Sequence, residues 1–241
     1  MNGSSRGRTG VVADLSIAEI KEAYEGGEIT GIWEERLIPE RERSFLERCL
    51  KGLGELPTGL DVGGGIGLHA LLLHERVPFV VHLDYSWTMC SYVGHTRALP
   101  TVQGNALRLP FTSGSFDVVM TYGVSTFVRN DDWRIQTVEE MMRVTRLGGF
   151  ILISTANGRS LHVPPRRTQR LHTVDAEDIR MFVQRGLQHV RTAYGEAAPH
   201  FLFRTAWGRP FAQVLDATLG RSALFATQKA VVLQKLYPSD R

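Results

Sequence analysis

The chain predicts an α/β fold on an open, mostly parallel sheet, and three stretches carry that prediction. In the first, Gly59-Leu60-Asp61-Val62-Gly63-Gly64-Gly65-Ile66-Gly67, a short apolar run stops in glycines and passes into Leu68, Leu71, Leu72 and Leu73. A bounded apolar run of this length reads as a buried strand, and the leucine-rich stretch after it as a helix. The second, Phe79-Val80-Val81-His82-Leu83, is another strand and stops at Asp84. The third is Phe116-Asp117-Val118-Val119-Met120, with a shorter candidate strand, Thr101 to Leu107, ahead of it. Strands alternating with helical stretches pair in parallel, because a crossover is needed to bring each new strand into line.

The glycine turn is the most informative segment. Gly63, Gly65 and Gly67 supply backbone conformations and a closeness of approach that side chains would block. The helix that follows points its free N–H groups at whatever fills the turn. Two ligand classes compete for it. Gly65-x-Gly67-x-x-Ala70, with Asp84 about 20 residues on, fits the dinucleotide fingerprint. Asp61 argues the other way: a carboxylate beside the turn repels a pyrophosphate but holds an ammonium group directly or through water. The favoured ligand therefore carries an amino-acid tail and no phosphates. Asp84, at the carboxyl edge where open α/β sheets bind ligands, can accept both hydroxyls of a ribose.

Composition bounds the rest. With 241 residues and 43% hydrophobic content, the chain can build one α/β domain with a sizeable core. The expected organisation is a single domain over 1–241, with a tail and helical lid over 1–53, a core over 54–241 and a substrate-side insertion near 156–174. No apolar run is long enough to span a bilayer, and Met1 to Gly10 lacks the apolar core of a signal peptide, so the expected location is cytoplasmic. Cys49 and Cys90 show no metal-ligand spacing and read as reduced, buried thiols, so no metal is expected. A formal charge of +3 is small for this length and does not by itself announce nucleic acid.

Leu15 to Ala23 and Arg41 to Leu53 read as helices ahead of the first strand, with Tyr24 and Trp33 placed either to close over the ligand or to pin the helices to the sheet. Phe150 to Thr155 reads as a fifth strand. Beyond it, Arg159, Arg166, Arg167 and Arg170 either clamp an anionic acceptor or form a solvated loop. Thr173 is a possible cap for a helix entering Asp175 to Ile179. His189 to Tyr194 and Lys229 to Leu233 are the sixth and seventh strands.

Taken together, the chain resembles the class I S-adenosylmethionine-dependent methyltransferases from about Tyr24 to Lys235. The features that carry the likeness are the Asp61 to Gly67 loop, Asp84-Tyr85-Ser86, Asn105-Ala106 before Leu109-Pro110-Phe111, Phe116-Asp117-Val118-Val119, and Glu140 to Gly149. The resemblance implies a Rossmann-like, doubly wound sheet of seven strands, mostly parallel with the last antiparallel, under an N-terminal helical cover. It implies S-adenosylmethionine as cofactor. Gly63, Gly64, Gly65 and Gly67 would wrap the methionine part and Asp61 would serve its amino group. Asp84 would take the ribose. Tyr85 and Met89 would flank the adenine, and Asn105, Ala106 and Leu107 would lie at its polar edge. Tyr122 would face the methionine end, and Tyr24 would close from the cover.

Two departures from the family pattern matter. Asn105 stands where many relatives have Asp, so a neutral carbonyl meets the adenine amino group. Gly123-Val124-Ser125-Thr126-Phe127-Val128 stands where many carry a His pair or a Glu-His pair, which removes the usual base. His69, His162, His172 and Tyr122 are the remaining candidates, and none is assigned as catalytic. The expected acceptor is a small molecule, methylated on O, N or C, of the kind found in secondary metabolism. A tRNA substrate and a non-methylating, cofactor-binding role are the alternatives. No membrane partner is expected, and the chain is expected to work as a monomer or homodimer.

Overall fold

The computed structural model describes residues 39–123, 131–162 and 173–237. In chain order its elements are α1 (Pro39–Leu50), β1 (Thr58–Val62), α2 (Leu68–His74), β2 (Phe79–Asp84), α3 (Trp87–Thr96), β3 (Thr101–Gln103), β4 (Phe116–Tyr122), α4 (Asp131–Val144), β5 (Thr145–Ala156), α5 (Ala176–Gln184), β6 (Leu187–Gly195), α6 (His200–Phe203), α7 (Gly208–Thr218) and β7 (Gln228–Lys235). The seven strands form one sheet in the order β3-β2-β1-β4-β5-β7-β6. Strands β1 to β5 pair in parallel, and β7 runs antiparallel to both its neighbours, β5 and β6.

Strand alternation sorts the apolar residues into two layers. Val118 and Met120 of β4 face the layer that holds Phe45, Leu46 and Cys49 of α1, Leu73 of α2 and Val93 of α3. Phe116 and Val119 face the other, with Leu60, Val62, Met141, Ile151 and Phe182. Both faces of the sheet are covered, as a parallel sheet requires. The strand order reverses between β1 and β4. At such a switch point the connecting segments diverge and leave a crevice beyond the carboxyl ends of the strands.

Several boundaries differ from the sequence reading. The third strand ends at Gln103 rather than continuing to Leu107. Past Gly104, whose N–H reaches the carbonyl of Asp84 at 2.9 Å, the Asn105 side chain accepts from the Leu107 N–H and turns the chain. The cap of α5 is Asp175, in a reciprocal capping box with Asp178, and not Thr173; a carboxylate accepts two backbone N–H groups where a hydroxyl would serve fewer. Strand β5 begins at Thr145, directly after α4, with no loop between them. The orphan carbonyls of that junction are met from the far end of the chain, where the buried Lys235 ammonium donates to Met142 and Thr145 oxygens at 2.8 and 2.9 Å. The helix Leu15–Ala23, Tyr24 and Trp33 lie outside the described residues, as do Arg166, Arg167, Arg170, His172 and the stretch 124–130.

Candidate functional site

The site grows from the end of β1. The N–H groups of Gly63 and Gly64 both reach the Leu83 carbonyl, at 2.7 and 3.1 Å, and tie the loop to β2. Gly63, Gly65 and Gly67 take φ of 70°, 53° and 76°, in the left-handed region that L side chains avoid. Gly64 is required for a different reason. A Cβ there would sit 2.5 Å from the His82 ring and 2.6 Å from an Asp61 carboxylate oxygen, whereas one at Gly65 would meet nothing within 4 Å. The loop is therefore packed beneath and open above.

Asp61 lies beneath it. Because Leu60 and Val62 face one apolar layer, strand alternation turns Asp61 toward the opposite face, and its exposure is 0%. Both its oxygens are buried and without hydrogen-bond partners among the described residues. Burial pushes the carboxyl up to about 7, with the nearby Asp84 charge adding to the rise and His69 opposing it. A buried acceptor of this kind lacks a donor that a ligand could bring.

Asp84, at the tip of β2, has partners. Its oxygens accept from the N–H groups of Gly65 and Ser86, each at 2.9 Å, so one side chain fixes both the glycine loop and the start of α3. Burial raises its pKa against the pull of these bonds. Each carboxylate oxygen offers more than one acceptor position, which leaves capacity for hydroxyl groups. His82 braces the loop from the same strand, with Nε2 3.0 Å from the Gly65 carbonyl. Burial lowers its pKa, and a carbonyl only accepts, so the ring is neutral with its hydrogen on Nε2.

The remaining predicted residues fall in three groups. Tyr85 is exposed beside Asp84. Met89 is fully buried, its N–H donating to the Ser86 cap, so its side chain belongs to the core. The Asn105 carbonyl already accepts from Leu107 at 2.9 Å, which leaves one acceptor position and the amide N–H donors; Ala106 and Leu107 are half-buried next to it. This turn is held from α4. Arg143 donates to the Leu109 and Phe111 carbonyls and to Glu140, and Glu140 accepts from the Leu109 N–H. The resembling motifs around Leu109-Pro110-Phe111 and Glu140-Arg143 are thus two halves of one clamp.

Tyr122, at the end of β4, opens a second polar corner. Its hydroxyl donates to Glu42 at 2.5 Å and lies 3.5 Å from Glu196, and its ring stacks on His69 with centroids 3.6 Å apart. His69 Nε2 is 3.4 Å from the same Glu42 oxygen. Burial alone would raise the Glu42 carboxyl, but its bonds to His69 and Tyr122 hold it below the usual range. Glu196 is pushed up to about 8 by burial and by the Glu42 charge, so it carries a proton at neutral pH. Sequence reasoning missed Glu42 and Glu196. Glu42 sits in a helix read only as cover, and Glu196 follows a strand with no motif around it. Of the proposed bases, His69 is packed into this corner, and His162 is exposed with Nδ1 3.0 Å from the Phe225 carbonyl. Both cysteines are buried and outside any disulfide, Cys90 Sγ donating to the Asp84 and Val102 carbonyls and Cys49 pushed up to about 12 by burial. No metal-ligand cluster occurs among the described residues.

A separate cavity of about 770 Å³ lies along the outer side of α1, lined by Arg41, Arg48, Glu196, Asp216 and Arg221 among others; no residue of the glycine loop lines it.

Residues 60–153 match the family model described as a methyltransferase domain. A demethylmenaquinone methyltransferase from Mycobacterium sp. (strain KMS) is 36% identical over 102 residues, 42% of this chain and 43% of that protein. The chain thus matches less than half the length of this curated relative. Among solved structures, a SAM-dependent methyltransferase from Archaeoglobus fulgidus superposes with a TM-score of 0.62 at 16% identity, covering 86% of this chain and all of that one. The [4+2]-cyclase SpnF superposes with a TM-score of 0.56 at 14% identity, covering 81% and 80%. The fold is that of the class I S-adenosylmethionine-dependent methyltransferases.

Proposed function

We propose that the protein is an S-adenosylmethionine-dependent methyltransferase acting on a small-molecule acceptor. The observation that carries this reading is Asp61, a buried carboxylate with no hydrogen-bond partner among the described residues, beneath a glycine loop over which those residues leave Gly65 uncovered. An ammonium supplies both the donors and the charge that Asp61 lacks, whereas a pyrophosphate would add repulsion. The residues present fit the cofactor. Asp61 would hold its amino group, Gly63 to Gly67 would pass along its methionine part, Asp84 would accept ribose hydroxyls, and the Asn105 to Leu107 turn would border its base. When bound, the cofactor supplies a methyl group already activated by its sulfonium, so no protein nucleophile is needed. The chain's own contribution is to hold the reactants in line, and much of the acceleration comes from that placement. His82 and Asp84 keep the loop in shape for it. Tyr122 carries its proton toward Glu42 and offers its remaining oxygen lone pairs to the neighbouring space.

The relatives' names support a small organic acceptor of quinone-like size, methylated on O, N or C. Two buried thiols outside any disulfide suit a reducing, cytoplasmic setting, and no helix of the described residues is long and apolar enough to cross a membrane. Calorimetry should show binding of S-adenosylhomocysteine and no response to nicotinamide dinucleotides. Incubation with methyl-labelled cofactor and a metabolite extract should then move the label into an organic product. The fold shared with a cyclase favours one second reading, a cofactor-binding protein that does not methylate. Binding without label transfer across many acceptors would select it.

A further inference from the structure

The segment between β6 and β7, residues 196–227, returns the chain across the edge of the sheet and carries α6 and α7. Its charge distribution is one-sided. Between Ala197 and Thr227 the only acid is Asp216, and it is consumed inward: it accepts from the N–H groups of Ala197 and Ala198 at 2.8 and 2.7 Å and pairs with Arg41 at 2.7 Å. Arg204, Arg209 and Arg221 are all exposed.

Helix α7 buries Gly208, Ala212 and Asp216 on its inner side. At the opposite helical positions stand Trp207, Phe211 and Val214, spaced four and three residues apart so that they form one outward stripe. With Phe201 of the neighbouring α6, these side chains are between 57% and 74% exposed. The residues around the stripe, Pro210, Gln213, Ala217 and Thr218, are exposed and uncharged. Surface helices of soluble proteins normally turn charge outward, and a contiguous apolar face marks a contact surface.

We propose that this face of α7 docks on an anionic lipid surface. Aromatic side chains on one stripe, in a segment whose exposed charged side chains are arginines and whose one acid is turned inward, suit a helix lying in the headgroup region: the rings enter the acyl boundary while the segment's positive charge favours anionic phosphates. A second copy of the chain fits less well, because a twofold contact through this face would bring two segments of net positive charge together. Such docking lets the protein work at the surface of a bilayer.

The test is flotation of the full chain with vesicles of about 30% phosphatidylglycerol in phosphatidylcholine, against pure phosphatidylcholine. The expected result is binding to the anionic vesicles only, weakened by salt. The variant Trp207→Ser/Phe211→Ser/Val214→Ser should lower the bound fraction about tenfold or more, and Arg204→Glu/Arg209→Glu should abolish the preference for anionic lipid. Cofactor affinity should be unchanged in both variants, which shows that they are folded and separates this proposal from the methyl-transfer reading. Absence of wild-type flotation, or flotation that survives the triple substitution, overturns the proposal. So does a photo-crosslinker at position 211 that, with vesicles present, links to a second copy or to the chain's own first 38 residues.

Discussion

The glycine-loop carboxylates and the corner beneath Tyr122 bury similar chemistry at the same edge of the sheet, and they resolve it in opposite ways. At the corner, Glu42 is met by Tyr122 and His69, and Glu196 takes up a proton, so the chain itself balances the charge. At the loop, Asp84 is met by two backbone N–H groups, but Asp61 has no hydrogen-bond partner within 3.5 Å among the described residues. The corner is finished on folding. The loop is finished only when a ligand arrives. A paired buried acid is weak evidence of function, since it holds structure; an unpaired one costs stability and so points to a missing partner.

The largest effect expected from this contrast is on cofactor affinity. Asp61→Asn should weaken S-adenosylhomocysteine binding by about 10- to 100-fold, the worth of one charged hydrogen bond. It should leave the thermal midpoint of the ligand-free protein unchanged or raised, because a buried charge is removed. Glu42→Gln should show the reverse pattern, with a lowered midpoint and little change in affinity. If calorimetry and melting show both variants behaving alike, the distinction between the two corners is lost.

A pH effect of about tenfold follows from the same residue. In the proposed complex ionised Asp61 would hold the amino group, and with a carboxyl at about 7 the ionised fraction rises about tenfold from pH 6 to pH 8, so affinity should rise with it. Asp61→Asn should flatten that profile. Stability has the opposite sign. Asp61 and Glu196 have folded pKa values of about 7 and 8, above their unfolded values, so the native state binds more protons in between. Ligand-free stability should therefore fall as pH rises from the normal carboxylate range toward 8, read as a falling melting temperature.

Smaller effects sharpen the packing side of the comparison. Gly64→Ala forces a methyl group against His82 and Asp61 and should cost about 1–3 kcal/mol, measured by chemical denaturation. Tyr122→Phe removes one donor from a still-paired Glu42 and should cost about 1 kcal/mol.

These two corners also mark the limit of what the sequence made legible. The Asp61 loop could be read because backbone chemistry fixes it locally: a strand, glycines where side chains cannot fit, then a helix. Asp84 was legible for the same reason, one strand on. Glu42 and Glu196 are 154 residues apart in the chain and meet only through tertiary packing, which no local pattern encodes. Met89, which the family resemblance puts beside the adenine, is fully buried behind the Ser86 cap, a setting that helical phase decides and the local motif does not. The sequence reading assigned no helix to the β6–β7 excursion, where the apolar period of Trp207, Phe211 and Val214 runs along the exposed side of α7 and the inner side carries Gly208, Ala212 and Asp216.

Among the described residues, β7 is the last strand in chain order yet sits inside the sheet, and β6 pairs with it alone. During synthesis, β6 has no partner until the ribosome has delivered residue 235 and the last strand has slotted in beside β5. Until then the nascent polypeptide exposes two unfilled backbone edges, which makes it a client for chaperones and vulnerable to premature termination.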